Sequence, residues 1–129
     1  MYKEVSAEED RIGRGIVDAA YHVHKELGPG LLEKVYEVCF CHVLTQKGFE
    51  VKRQIDIPIV FEEMIFEEGL RLDVLVNDLV IVELKALENV NPVWEAQLLS
   101  HLKLTNTRLG YLINFNVPLI KNGIKRMVI

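Results

Sequence analysis

The chain has 129 residues, half of them apolar and 26% charged, with a formal net charge of −4. That is enough for one hydrophobic core, and the absence of repeats, charge blocks and Pro/Gly/Ser-rich tracts leaves little room for linkers, so one domain over residues 1–129 is expected. An acidic balance argues against strong non-specific attraction to nucleic acid and leaves any polyanion partner to a local basic patch.

The start, MYKEVSAEEDRIGRG, lacks the apolar stretch of a signal peptide, and no apolar run approaches the roughly 18 residues that span a bilayer, so a soluble, cytoplasmic protein is expected. Ser6 and Glu9 have capping-box spacing, and Ile12, Ile16, Ala19, Ala20, Val23 and Leu27 recur at helical intervals until Gly28-Pro29-Gly30 stops the helix. His22 and His24, two apart, point to different sides of it and read as packing or surface residues. A second helix is predicted from about Leu31 to Lys47, with Leu32, Val35, Tyr36, Cys39, Phe40, Val43 and Leu44 as its apolar set and Gly48 as its C-terminal cap. Cys39 and Cys41 diverge on this helix, so no disulfide closes between them and they read as small buried thiols.

From Phe49 the period changes to two. Phe49, Val51, Ile55, Ile57, Ile59 and Phe61 alternate with polar residues, Arg53 being the exception, and Pro58 places the end of this strand on a sheet edge. EEMIFEEG reads as a hairpin connection with a short strand. LRLDVLV and LVIVELKA then form two strands around Asn77-Asp78. Asn91-Pro92 opens a helix that carries Trp94, Leu98, Leu99 and Leu102 to about Thr105, LGYLINFNV is a further strand, and IKRMVI is a last short one. The order gives an α/β fold with a mixed sheet flanked by helices.

Within this pattern IVELKA stands out, because charged side chains are rarely buried unless paired. Period two puts Glu83 and Lys85 on one face of their strand and Val82, Leu84 and Ala86 on the other. The relation of Asp73 to this pair depends on the turn. A two-residue loop at Asn77-Asp78 pairs Asp73 with Val82 and separates the two carboxylates, whereas a three-residue loop through Leu79 pairs Val76 with Val80 and sets Asp73 across from Glu83. In the second case two carboxylates and an ammonium meet on a sheet surface. Oxygen donors of that kind favour Mg²⁺ or Mn²⁺, and such an ion beside a lysine suits phosphodiester hydrolysis. The alternative is a plain salt bridge, with Glu83 and Lys85 snorkelling at a strand end and Asp73 paired with Arg71 or an exposed lysine.

Further candidates lie on the helices. Glu33 shares a face with Tyr36 and lies one turn from Glu37, either aimed at the sheet or serving the helix dipole. Gln97 and His101 share a face at i, i+4, where the amide suits a water or phosphate and the imidazole suits phosphate contact or proton transfer. The cations for a phosphate partner are Lys52, Arg53, Lys103, Arg108, Lys121, Lys125 and Arg126. No Walker motif, zinc motif or aromatic ladder is present, which argues against nucleotide hydrolysis and single-strand stacking.

Taken together, these segments resemble the PD-(D/E)XK nuclease superfamily, and within it the group named for a GxxExxY motif. GPGLLEKVYE carries that motif through Gly30, Glu33 and Tyr36. RLDVLVNDLVIVELKA is similar to the superfamily core through Asp73, Glu83 and Lys85, with Leu72 where the superfamily name has proline. EAQLLSHLK resembles the glutamine motif of RecB-type nucleases, with His101 in place of a tyrosine, and Trp94 stands where the group often has histidine.

The resemblance implies a restriction-endonuclease-like fold and a Mg²⁺- or Mn²⁺-dependent nuclease acting on DNA or RNA. It implies Asp73, Glu83 and Glu33 at the metal, Lys85 as the catalytic lysine, Gln97 assisting, and Tyr36 and His101 toward substrate. Two other readings stand beside it. One is a catalytically inactive binding or assembly module of the same fold, with a homodimer as one form it takes; the other is a small phosphoester hydrolase using the same cluster.

Overall fold

The computed structural model describes residues 4–129. Helix α1, Ala7–Leu27, starts where the capping box places it: Ser6 Oγ accepts the Glu9 N–H at 3.0 Å and Glu9 Oε1 accepts the Ser6 N–H at 2.8 Å. Helix α2 spans Glu33–Gln46. Beyond it Gly48 takes a left-handed φ of 93°, a conformation that glycine adopts without a Cβ penalty, and the chain turns into the sheet.

The sheet has strands β1 (Val51–Phe61), β2 (Met64–Val76), β3 (Val80–Lys85), β4 (Leu109–Asn114) and β5 (Ile124–Val128), in that spatial order. All neighbours are antiparallel except β3 and β4, which are parallel and joined through helix α3, Val93–Thr105. This is the mixed α/β sheet between helices that the chain order predicts.

Two apolar clusters cover its faces. On one side Ile12, Ile16, Tyr36, Phe40 and Leu44 of α1 and α2 pack on Val74, Val76, Val82 and Leu84. On the other, Trp94, Leu98 and Leu102 of α3 pack on Leu72, Ile81 and Leu112. Burial of these side chains supplies the main driving force for the three-layer arrangement.

Several expectations are revised. EEMIFEEG contains no separate short strand: Glu62 and Glu63 form the turn, both at positive φ, and β2 runs for 13 residues from Met64 without interruption. The buried set of α2 is narrower on one side and wider on the other. Leu32, outside the helix that begins at Glu33, is 78% exposed; Val35, on the helix, is also exposed, whereas Cys41 is buried. Leu27 is exposed at the end of α1. Pro58, which has no N–H to give the ladder, sits on edge strand β1 at a register shift between Ile57 and Ile59.

The β2–β3 turn decides the site. Asn77 and Asp78 are left-handed, with φ of 51° and 53°, and the Leu79 N–H donates to the Val76 carbonyl at 3.0 Å, the pattern of a tight two-residue turn. The ladder nevertheless pairs Val76 with Val80 and Val74 with Val82. Leu79 is therefore an extra residue, and the register is that of the three-residue loop.

Candidate active site

With Val74 opposite Val82, Asp73 falls beside Glu83. The β2–β3 ladder covers Val74–Val76 and Val80–Val82, and the next backbone donor on β3 is satisfied differently: Asp73 Oδ2 accepts the Leu84 N–H at 2.9 Å. The carboxylate takes the place of a strand carbonyl, which ties the side chain to β3 and turns it toward Glu83. Leu72, in the position where proline stands in the superfamily name, is buried in the cluster under α3.

Glu83 is only 6% exposed, and its Oε1 lies 2.6 Å from His101 Nδ1 on α3. A carboxylate there accepts from the ring N–H, so His101 holds Glu83 in one orientation. Lys85, on the same face, is half-buried with its ammonium 5.7 Å from the centre of the Trp94 ring, a cation–π contact that limits where the amine can go. Asp73, Glu83, Lys85, Gln97 and His101, together with Arg71 and Trp94, line one cleft of about 270 Å³.

The electrostatics follow from this crowding. Burial, and after it the neighbouring Glu83 charge, push the Asp73 carboxyl up to about 7, with the Leu84 N–H only partly opposing them. Glu33 does not line the cleft, yet it is coupled to it. Its carboxyl is raised first by desolvation, with Glu37 and Glu83 adding to the shift and Lys85 opposing it.

Among the described residues no group of three His, Cys, Asp or Glu side chains is arranged to hold a metal ion. What the cleft offers is a pair of adjacent carboxylates that resist ionising together. This suits a small hard dication, which takes one or two carboxylates and fills the rest of its shell with water and substrate oxygens.

Tyr36, expected toward substrate, lies elsewhere. It is fully buried, its ring stacks on Phe115 at 4.7 Å between centroids, and its hydroxyl donates to the Gly28 carbonyl at 2.6 Å and accepts the Leu31 N–H at 3.1 Å. The tyrosine clamps the glycine turn between α1 and α2. Tyr36→Phe is accordingly expected to lower stability by about 1 kcal/mol in urea unfolding, the cost of losing two hydrogen bonds from a buried hydroxyl to partly exposed backbone groups of the turn, with cation binding at the cleft retained. His101, also expected toward substrate, faces Glu83 instead.

The proposed phosphate cations do not gather at the cleft. Lys52 pairs with Asp78 at 2.8 Å, Arg53 with Glu37 at 2.7 Å and Lys125 with Glu95 at 2.9 Å. The cations that line the cleft are Lys85 and Arg71. Arg71 was legible only as a counter-ion for Asp73; in the fold its Nε donates to Asp56 Oδ1 at 3.1 Å on the adjacent strand. Its signal in the sequence was its place two residues before Asp73. His24 bonds the Val117 carbonyl through Nε2 at 2.7 Å, in keeping with a packing role, and His22 is exposed. No described helix is long and apolar enough to cross a membrane.

Comparison with known proteins supplies the family. Neither the curated proteins nor the solved structures contain a significant match. The family model of the PD-(D/E)XK nuclease superfamily matches residues 10–127, nearly the whole chain and every cleft residue named above. The protein belongs to the PD-(D/E)XK nuclease superfamily.

Proposed function

We propose that this protein is a metal-dependent nuclease of the GxxExxY group that hydrolyses phosphodiester bonds of DNA or RNA at the Asp73–Glu83–Lys85 cleft. The observation that carries the reading is the β2–β3 register, which sets Asp73 beside Glu83 with Lys85 on the same face. A bound Mg²⁺ or Mn²⁺ supplies Lewis-acid stabilisation of charge on the phosphoryl group and lowers the pKa of water.

The chain's own residues divide the remaining tasks. Asp73 and Glu83 offer the carboxylate oxygens, with Asp73 fixed by the Leu84 N–H and Glu83 by the His101 ring. Lys85 presents N–H donors to a phosphate oxygen or to the attacking water, and Trp94 keeps it within the cleft. Gln97, exposed on the cleft wall, orients a water or a non-bridging oxygen, and Arg71 faces the scissile phosphate or its neighbour. Glu33 contributes to the field at Lys85 and Glu83 from the start of α2.

Calorimetric titration of Mn²⁺ into the wild type and Glu83→Ala, paired with a screen of single- and double-stranded DNA and RNA, tests the reading. Wild-type binding that weakens by about 100-fold or more in the variant is expected, with cleavage only when the ion is present. A folded wild type that neither binds the ion nor cleaves any of these substrates would overturn it.

A further inference from the structure

Asp73 leaves the ladder at a kink shared by two strands. Arg53 pairs with Val74 and Ile55 with Leu72, so Gln54 on β1 lies opposite Asp73 on β2. At that point the alternation of faces breaks on both strands. Arg53 and Gln54, adjacent in sequence, both reach Glu37 on α2. Leu72 and Asp73, also adjacent, both lie on the α3 side, Leu72 in the cluster and Asp73 in the cleft. Beyond the kink Ile55 and Ile57 pack under α3, whereas Val51 packs under α1 and α2.

The hinge residue is Gln54, whose φ of 49° is a left-handed conformation that non-glycine residues seldom adopt inside a strand. It is held from outside the strand. Glu37 is 4% exposed and both of its oxygens are engaged: Oε1 accepts from Gln54 Nε2 at 2.6 Å, and Oε2 accepts from Arg53 at 2.7 and 3.1 Å. A buried carboxylate with a guanidinium on one oxygen and the Gln54 amide on the other has little freedom to let that amide go.

We infer that Glu37 and Gln54 are positioning residues for the cleft: the Glu37 clamp keeps Gln54 left-handed, and the resulting kink delivers the Asp73 carboxylate to the Leu84 N–H and to Glu83. This rests on the nuclease reading only for its consequence in cation binding. The effect on Asp73 follows from the strand geometry alone.

Two substitutions separate the kink from general stability. Glycine accepts positive φ without penalty, whereas a β-branched residue resists it. Hydrogen exchange by NMR in the ion-free protein reads the Asp73–Leu84 bond directly, with the Val82 amide of the same strand as internal control.

Relative to that control, Gln54→Val and Glu37→Gln are expected to speed Leu84 exchange and weaken Mn²⁺ binding by about tenfold each, and Gln54→Gly to stay within about threefold of wild type in both. Equal Leu84 protection in wild type, Gln54→Val and Glu37→Gln overturns the inference, as does parallel loss at Leu84 and Val82, which marks a merely structural role. A wild type that binds no Mn²⁺, with Leu84 exchange still responding as described, removes the metal reading and leaves the positioning role in place.

Discussion

Lys85→Ala is expected to lower cleavage by about 10³-fold while Mn²⁺ binding stays close to wild type. The two effects separate because the lysine sits on the carboxylate face of β3 but is not itself an oxygen donor. Its amine is held over Trp94 inside the same cleft as Asp73 and Glu83. In the proposed mechanism its loss removes a donor to charge that develops on the phosphoryl group and leaves both carboxylates in place.

Lys85→Arg is not a conservative replacement there. A guanidinium stacks on an indole ring as readily as an ammonium, but its delocalised charge and fixed planar fork present donors at other positions than a compact ammonium does, so a loss approaching that of alanine is expected. Single-turnover cleavage beside calorimetry on each variant is the check. Cleavage that survives in Lys85→Ala, Asp73→Ala and Glu83→Ala alike would mean that the chemistry lies elsewhere.

Asp73→Asn has the opposite character, because it is expected to stabilise the ion-free protein at alkaline pH. In the fold the Asp73 carboxyl titrates at about 7, raised by burial and then by Glu83, from an ordinary value near 4. The folded value lies above the unfolded one. The group's contribution to stability is therefore complete below about pH 4 and is lost as pH rises through 7.

Asparagine keeps an oxygen for the Leu84 N–H and carries no charge to repel Glu83. Its melting temperature is expected to exceed that of the wild type at pH 8 by roughly 4 °C for each kcal/mol relieved, with the difference vanishing near pH 4. Saturating Mn²⁺ shifts the balance back toward the wild type, since only it retains the full carboxylate pair. At 100 times the dissociation constant it gains about 2.7 kcal/mol. Parallel melting curves for the two proteins from pH 4 to pH 8, with equal response to Mn²⁺, would show that Asp73 is neither strained nor a ligand.

What could be read from the chain before its fold divides by range. The capping box at Ser6 and Glu9, the glycine stops and the shared face of Glu83 and Lys85 are set by residues within a few positions of one another, and spacing alone was enough for them; the alternation expected along β1 holds only on either side of Gln54, where the faces switch. The shared face of Gln97 and His101 belongs to the same class.

The meeting of Asp73 with Glu83 does not. The Asn77-Asp78 dipeptide builds a two-residue turn, yet Leu79 bulges and sets the register of a three-residue loop. A one-residue slip moves every side chain to the other face, so the packing of Val74, Val76, Val80 and Val82 against α1 and α2 chose the register. The partners of His101, Tyr36 and Arg53 lie 18, 8 and 16 positions away. No local pattern encodes such pairs, and only the folded layers bring α2, α3 and the sheet close enough for Glu83 to find an imidazole, for a tyrosine to clamp the glycine turn, and for Glu37 to hold the kink at Gln54.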